Sequence, residues 1–394
     1  MTKTLVSLFS GIGGFELGFS KQGYRPSLFC EIDPGAKAIL QTAWPNVPVV
    51  DDVRMLPELP RCNVVTAGFP CQDLSQAGRK AGIFGDNSGL VSHLFRLLRD
   101  MSFEPDWVVV ENVPFMLSLD GGRAMDFVLT KFEELGFAWA YRVVDARAFG
   151  LPQRRPRVLL VASRLHDPCA AVASETLPPL LDEKPAIVRG GSAYGFYWTE
   201  GTRGLGWVRD GVPPIKGGSG LGIPSPPAIW FPAFGELSTP AIEDAERLQG
   251  FPAGWTAPAT ANGGKAGLRW KLVGNAVNVR VAEWLAAQLD LTHSVPVPAR
   301  SSLSAGSWPS SARGDGKGRE RLDLNLFPER AAIVPIMSFL DGETKPLSQK
   351  AALGFLRRAE NTPKLVYSPQ FLDFLRGYCS AAPPHWPAPA ALAS

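Results

Sequence analysis

A cysteine stands between a proline and a glutamine in AGFPCQDLSQAG, residues 67–78. The preceding run NVVTAGF (63–69) reads as a buried strand, so Cys71 sits past a strand's carboxyl end. Ligands of open α/β sheets bind at such ends, and the Pro70 ring stiffens the approach. A thiolate there can form a transient covalent bond, which a small apolar residue filling the same space cannot. The stretch after it has too many glycines and charges for a core. It reads as a loop hinged at Gly78, Gly82, Gly85 and Gly89, with Arg79 and Lys80 able to meet phosphate. Cys30, Cys62, Cys169 and Cys379 lack such a setting and read as inert filler.

Three further patterns could do chemistry. In LFSGIGGFELGF (8–19), Gly11, Gly13 and Gly14 follow a strand and open a helix, which lets backbone approach a ligand closely. Glu31 ends the next strand about twenty positions on, where it could hold ribose hydroxyls. That combination points to a nucleoside-type cofactor and no further. In WVVVENV (107–113), Glu111 follows a run of apolar residues, and a carboxylate there is costly to bury without a partner or a task. Partial burial raises such a carboxyl towards neutrality and suits a general acid, although a structural turn cap would also account for it. In LPQRRPRVLLVAS, Gln153, Arg155 and Arg157 alternate into a strand, so they share a face. Two guanidiniums beside a carboxylate make a clamp for phosphate or carbonyl oxygen.

The elements that must position these residues follow from periodicity. Apolar runs at 4–9, 27–32, 63–69, 107–113 and 157–162 read as strands buried on both faces, with helical spacing at 34–44, 89–101 and 122–135. That alternation predicts a mostly parallel, doubly wound α/β sheet with helices on both sides. From about 165 to 240 the chain is rich in Gly, Pro and aromatics and reads as a smaller, irregular strand-and-loop domain. Helical runs return at 241–249 and 278–290. Residues 294–320, rich in Ser, Gly and Pro, read as a flexible linker, and the tail from 321 to 394 as a small helical appendage.

Formal net charge is +3, so any basic surface must be local, and the stretch 139–164 supplies one with six arginines against one aspartate. Five cysteines without CxxC suit neither a disulfide framework nor zinc, and four histidines argue against a histidine-centred metal site; no metal is expected. No signal peptide and no membrane-length apolar run is visible, so a cytoplasmic setting without membrane contact is expected.

Taken in order, these motifs resemble the DNA (cytosine-5) methyltransferases of bacterial or phage type. The likeness covers 4–163 and 237–288: FxGxGG at 9–14, PCQ at 70–72, ENV at 111–113, QxRxR at 153–157, RLQGFP at 247–252 and GNAVNV at 274–279. The resemblance implies an S-adenosylmethionine pocket lined by Phe9, Gly11, Gly13, Gly14 and Ile32, with Glu31 at the ribose and Asp52 and Val53 at the adenine. Gly68, Pro70 and Leu90 would complete that wall, and Asn275 and Ala276 would close it. It implies Cys71 as the nucleophile that adds to C6 of a flipped-out cytosine, with Glu111, Arg155 and Arg157 holding the base.

The resemblance divides the chain into a catalytic and cofactor domain (1–164), a target-recognition domain (165–240) and a return to the catalytic domain (241–293). The segment 274–290 is expected to pack as a helix beside the first strand. The linker (294–320) and a C-terminal extension (321–394) match nothing in the family. Glu243 stands where many members carry arginine, four residues before Arg247, and the recognition region is short and barely basic.

The implied partner is double-stranded DNA, acted on by a monomer in a restriction-modification context with a paired endonuclease. Rival readings are a methyltransferase acting on cytosine in transfer RNA, a dinucleotide-dependent oxidoreductase that leaves PCQ, ENV and QxRxR idle, and a silent DNA-binding relative.

Overall fold

The computed structural model describes residues 2–69, 89–173, 188–199, 206–217, 224–261, 263–290, 299–303, 308–329, 331–362 and 367–380. Pro70, Cys71 and the hinge loop up to residue 88 lie outside the described residues.

The chain opens with β1 (Lys3–Leu8), α1 (Gly14–Ser20), β2 (Tyr24–Cys30), α2 (Pro34–Ala43), β3 (Val49–Val50), β4 (Val64–Ala67), α3 (Leu90–Asp100) and β5 (Trp107–Asn112). It continues through α4 (Arg123–Glu134), β6 (Ala138–Asp145), β7 (Pro156–Ser163) and α5 (Pro168–Val172). Four short strands follow, β8 (Tyr194–Phe196), β9 (Val208–Arg209), β10 (Ala228–Phe231) and β11 (Glu236–Thr239). Helices α6 (Ile242–Leu248), α7 (Ala266–Asn275) and α8 (Val279–Leu289) come next. The C-terminal part holds β12 (Arg300–Ser302), β13 (Ser311–Gly314), β14 (Arg319–Leu322), α9 (Ile336–Phe339), β15 (Lys345–Pro346), α10 (Gln349–Glu360) and α11 (Pro369–Ser380).

The large sheet has ten strands in the order β12-β14-β13-β6-β7-β5-β4-β1-β2-β3. Neighbouring pairs from β3 to β5 run parallel, and the connections reverse direction between β1 and β4. Helix α1, with α8, covers one face through Phe15, Phe19, Ala282 and Leu285. Helices α3 and α4 cover the other through Leu94, Leu98, Val128 and Phe132. With both faces covered, strand residues such as Val64, Val65 and Val109 are fully buried, which is why these strands read as continuous apolar runs.

Beyond β5 the expectation of a mostly parallel sheet fails. β7 pairs antiparallel with β5 and with β6, and β13, β14 and β12 add three further antiparallel strands. Strand β6 was not anticipated, because AWAYRVVD carries Arg142 mid-strand. That guanidinium is buried and donates to the carbonyls of Asn325 and Val172.

The linker expected at 294–320 is corrected in the same region. Residues 311–314 pair with β6, and Arg319 holds the hairpin to α4 through Asp126, Thr130 and Glu133. Sequences such as SARG and RERL show no apolar alternation because backbone pairing and polar contacts hold them.

The tail is no appendage either. The small sheet, ordered β15-β11-β10-β8-β9, takes β15 from it. Helices α10 and α11 pack Phe355 and Phe371 against Tyr194, Phe196, Trp207 and Trp230 to form one aromatic core.

The returning segment is two helices rather than one. α7 ends at Asn275, and α8 starts after Asn278, whose side chain accepts the N–H groups of Arg280 and Val281. α8 packs mainly against α1, with Leu5 of β1 in the same core cluster. The approach is close: a Cβ on Gly14 would stand 2.2 Å from the Val277 carbonyl oxygen.

Candidate active site

The carboxyl ends of β2, β1, β4 and β5 lie in register, Cys30 beside Leu8, Leu8 beside Ala67 and Ala67 beside Val110. The strand order reverses between β1 and β4, the point at which a crevice opens in such sheets.

The β1 loop turns sharply. Phe9 has φ 56°, a left-handed conformation rare outside glycine, and Gly11 has φ 57°. The Gly11 N–H donates to Glu31 Oε2 at 2.7 Å, and the Asp33 N–H to Glu31 Oε1 at 2.8 Å. Burial pushes the Glu31 carboxyl up, and those two N–H groups hold its charge against it. Among the described residues nothing stands within 4 Å of a Cβ built on Gly11, so they leave the space before that turn open. Gly13 and Gly14 do not share that opening. Gly13 is pressed by the Trp44 ring and Gly14 by Val277, so both serve close packing. Trp255 fixes the loop from the far side by donating to the Ile12 carbonyl at 2.8 Å.

Beside Glu31, Ile32 is 64% exposed, an apolar side chain left bare at the strand end. Asp52 pairs with Arg54 at 2.5 Å, and this guanidinium holds its carboxyl below the usual range. Val53 is buried, its carbonyl accepting from Arg96 of α3. Leu90 starts α3 half-buried.

At the end of β4, Gly68 leads into Phe69, whose ring meets Phe9 edge-on at 6.4 Å. The Asn112 side chain donates to the Phe69 carbonyl at 3.2 Å. Asn112 thus ties the end of β5 to the residue directly before Pro70 and Cys71. That role went unread in the ENV motif.

Glu111 is 9% exposed, and Arg157 Nε lies 3.0 Å from its Oε1. Burial raises the Glu111 carboxyl above its ordinary value, while Arg157 and Arg155 pull it back. A carboxyl so placed can carry a proton nearer neutrality, and the guanidinium orients it.

Arg155 behaves differently from the clamp expected. Its guanidinium donates to the carbonyls of Ile215 (3.1 Å), Gly274 (3.0 Å) and Ala276 (2.8 Å). It staples β7's entry to the segment after α7, and Nε alone has no hydrogen bond. Gln153, Gln249 and Asn278 form a buried amide network with Leu248 and Val273 carbonyls, joining three motif blocks distant in sequence. Ala276 is buried with Ile12, Ala36 and Ile39, whereas Asn275 is exposed. Glu243, the departure noted above, pairs with Arg269 of α7, which also binds Glu246. A guanidinium is present there after all, supplied by another helix.

Tyr197 and Lys216 were not anticipated. Tyr197 lies within electrostatic reach of Arg154, Arg155 and Arg157. Its only advance signal was an aromatic cluster, GFYW. Of the other cysteines, Cys30, Cys62 and Cys169 are buried and Cys379 is half-buried; burial pushes the Cys30 and Cys62 thiols up to about 12 and raises Cys169 and Cys379.

Residues 3–194 match the family model of the C-5 cytosine-specific DNA methylases. The chain is 48% identical over 376 residues to the Type II methyltransferase M2.BsuMI of Bacillus subtilis, covering 94% of this chain and 97% of that protein. It is 32% identical over 184 residues to the Type II methyltransferase M.AquIA of a Picosynechococcus, covering 42% of this chain and 73% of that one. The solved structure of the methyltransferase EhMeth of Entamoeba histolytica superposes with a TM-score of 0.53 at 14% identity, over 73% of this chain and 98% of its own, a likeness of fold.

Proposed function

This chain belongs to the C-5 cytosine-specific DNA methylases, and from that premise we propose that it methylates C5 of an extruded cytosine in a specific duplex sequence, with S-adenosylmethionine as methyl donor. The observation that carries the reading is the buried Glu111–Arg157 pair at the crevice edge, beside the strand end that leads to Cys71.

The cofactor's fit rests on the open turn at Gly11 above the held Glu31 carboxylate and on the bare Ile32 side chain. Phe9, Gly11, Glu31, Ile32, Asp52, Val53, Gly68, Pro70, Leu90 and Asn275 would line the pocket; Gly13, Gly14 and Ala276 would shape it by packing. When bound, the donor supplies an electrophilic methyl group. Cys71 adds through Sγ to C6, which makes C5 nucleophilic. Glu111 delivers a proton or hydrogen bond at N3 and so stabilises the adduct. Arg157 keeps Glu111 oriented, and Arg155 holds the wall at 274–276. Loss of the C5 proton then expels the Cys71 thiolate.

The small sheet with α10 and α11 is assigned to sequence recognition, in a cytoplasmic monomer paired with a restriction endonuclease. Bisulfite sequencing of DNA from an expressing host tests the reading. Methylated cytosine in one sequence context supports it, as does a trapped covalent adduct on 5-fluorocytosine duplex. Methylation of transfer RNA but not duplex DNA would overturn it.

A further inference from the structure

Lys216 has no part in the reaction set out above, yet its backbone is held from both directions. Before it, the Ile215 N–H donates to Gln153 Oε1 at 3.1 Å, and the Ile215 carbonyl accepts from Arg155. A Cβ on Gly274 would stand 2.2 Å from the Lys216 carbonyl carbon, so the two segments touch. The Lys216 ammonium lies over the Tyr197 ring, 3.8 Å from its centroid. That ring is fixed in turn, its hydroxyl donating to the Pro214 carbonyl at 2.8 Å.

A lysine ordinarily trails a mobile, hydrated ammonium. Here the side chain is half-buried, and burial pulls its pKa down. The aromatic face offsets part of that loss. Around the same phenol gather Arg154, Arg155 and Arg157, with Glu111 committed to Arg157. Cations outnumber carboxylates among these groups, which suits an anion. A nucleotide that turns its base towards Glu111 carries its phosphates behind it, and phosphate contacts fix register and orientation.

We propose that Lys216, braced on Tyr197, binds a phosphodiester oxygen of the target strand next to the extruded cytosine and so positions that nucleotide. The proposal rests on the methyltransferase reading, which the wild-type control tests separately. A second anion that would compete for this lysine is the donor's carboxylate, and the experiment distinguishes the two.

The full-length chain is assayed on a short duplex carrying the sequence that bisulfite mapping identifies. Wild-type turnover on it establishes the reading itself. Lys216→Gln is expected to raise KM for the duplex about tenfold, as for loss of a charged hydrogen bond. The slope of log affinity against log salt should shrink by about 0.9. The KM for the donor and the melting temperature should stay unchanged, and Lys216→Arg should restore duplex affinity. A neutral methylphosphonate beside the target cytosine should weaken wild-type binding and add nothing further in Lys216→Gln. An unaltered duplex KM and salt slope overturns the proposal, as does a loss confined to the donor's KM or full additivity with the methylphosphonate. If Lys216→Gln does not fold, Tyr197→Leu, which removes the brace and keeps the lysine, must show the same weakened duplex binding or the proposal falls.

Discussion

Glu16→Gln should stabilise the protein at pH 8 far more than at pH 4.5. Glu16 lies in the first turn of α1, fully buried above the sheet. Beneath it Ser7 of β1 pairs with Thr66 of β4. Among the described residues neither carboxyl oxygen of Glu16 has a hydrogen-bond partner of good geometry, nor has Ser7 Oγ or Thr66 Oγ1. Burial pushes the carboxyl from 4.5 up to about 7; the nearby Ser7 hydroxyl offsets a little of this and the Glu31 charge adds to it. Between pH 4.5 and 7 the folded protein keeps a proton that the unfolded chain has released, so stability falls as pH rises through that window. At 1.36 kcal/mol for each pH unit, about 3 kcal/mol is lost by pH 7 and the loss is constant above it. Glutamine has the same shape and cannot ionise. Urea unfolding of both proteins at several pH values isolates this group, because every other titration cancels in the difference. The advantage of Glu16→Gln should grow by about 3 kcal/mol from pH 4.5 to 7.5. A difference flat with pH would refute the reasoning and show that the carboxylate is solvated or paired when folded.

Glu111→Gln should lower single-turnover methyl transfer by roughly 10²–10⁴, the usual weight of a general acid, while donor binding survives; a fall below tenfold would remove this carboxyl from the chemistry. Arg155→Ala should cost roughly 3 kcal/mol or more in denaturant unfolding, because three buried carbonyls lose their donor. Arg157→Ala should instead act mainly on turnover, and equal stability losses in the two would contradict the division drawn between them. Gly14→Ala should destabilise by about 1–3 kcal/mol through its clash with Val277, as a thermal melt would read, and a wild-type melt would refute that packing. A chain ending at residue 293 should aggregate, since it bares the edge of β6 and the aromatic core around Trp230; a soluble monomer in size-exclusion chromatography would show the tail to be dispensable.

The parallel half of the fold was legible because strands buried on both faces leave a periodic signal in the chain. Val64, Val65, Val108 and Val109 are apolar since solvent reaches neither side of the sheet there. The antiparallel half left no such trace. Arg142 is satisfied by carbonyls that the sequence cannot bring next to it, one of them from residue 325. β13 takes its place from a ladder with β6, and ladder bonds are made by backbone, whatever the side chain. Short strands whose stability comes from partners far along the chain therefore look like linker, and the aromatic core of the small domain, split between 194–230 and 347–375, looks like two unrelated fragments.

The sequence picked out the residue types of the candidate site, but not the division of labour that the hydrogen bonds show among them. Arg155 and Arg157 are chemically identical and two apart, so spacing alone makes both of them base clamps. What separates them is where their donors go: one meets three main-chain oxygens, the other a carboxylate. Gln153, Gln249 and Asn278 follow the same logic, since a buried amide must be matched on both its donor and acceptor sides. Each holds backbone or another amide of a different motif block. Much of what marks this sequence as a recognisable pattern is therefore wiring that brings the α6–α8 segment back over the crevice. In the proposed reading the chemistry falls to a few other groups, the Glu111–Arg157 pair among them. Substitution of the amides should consequently lower stability and donor affinity together, while substitution of Glu111 lowers turnover alone.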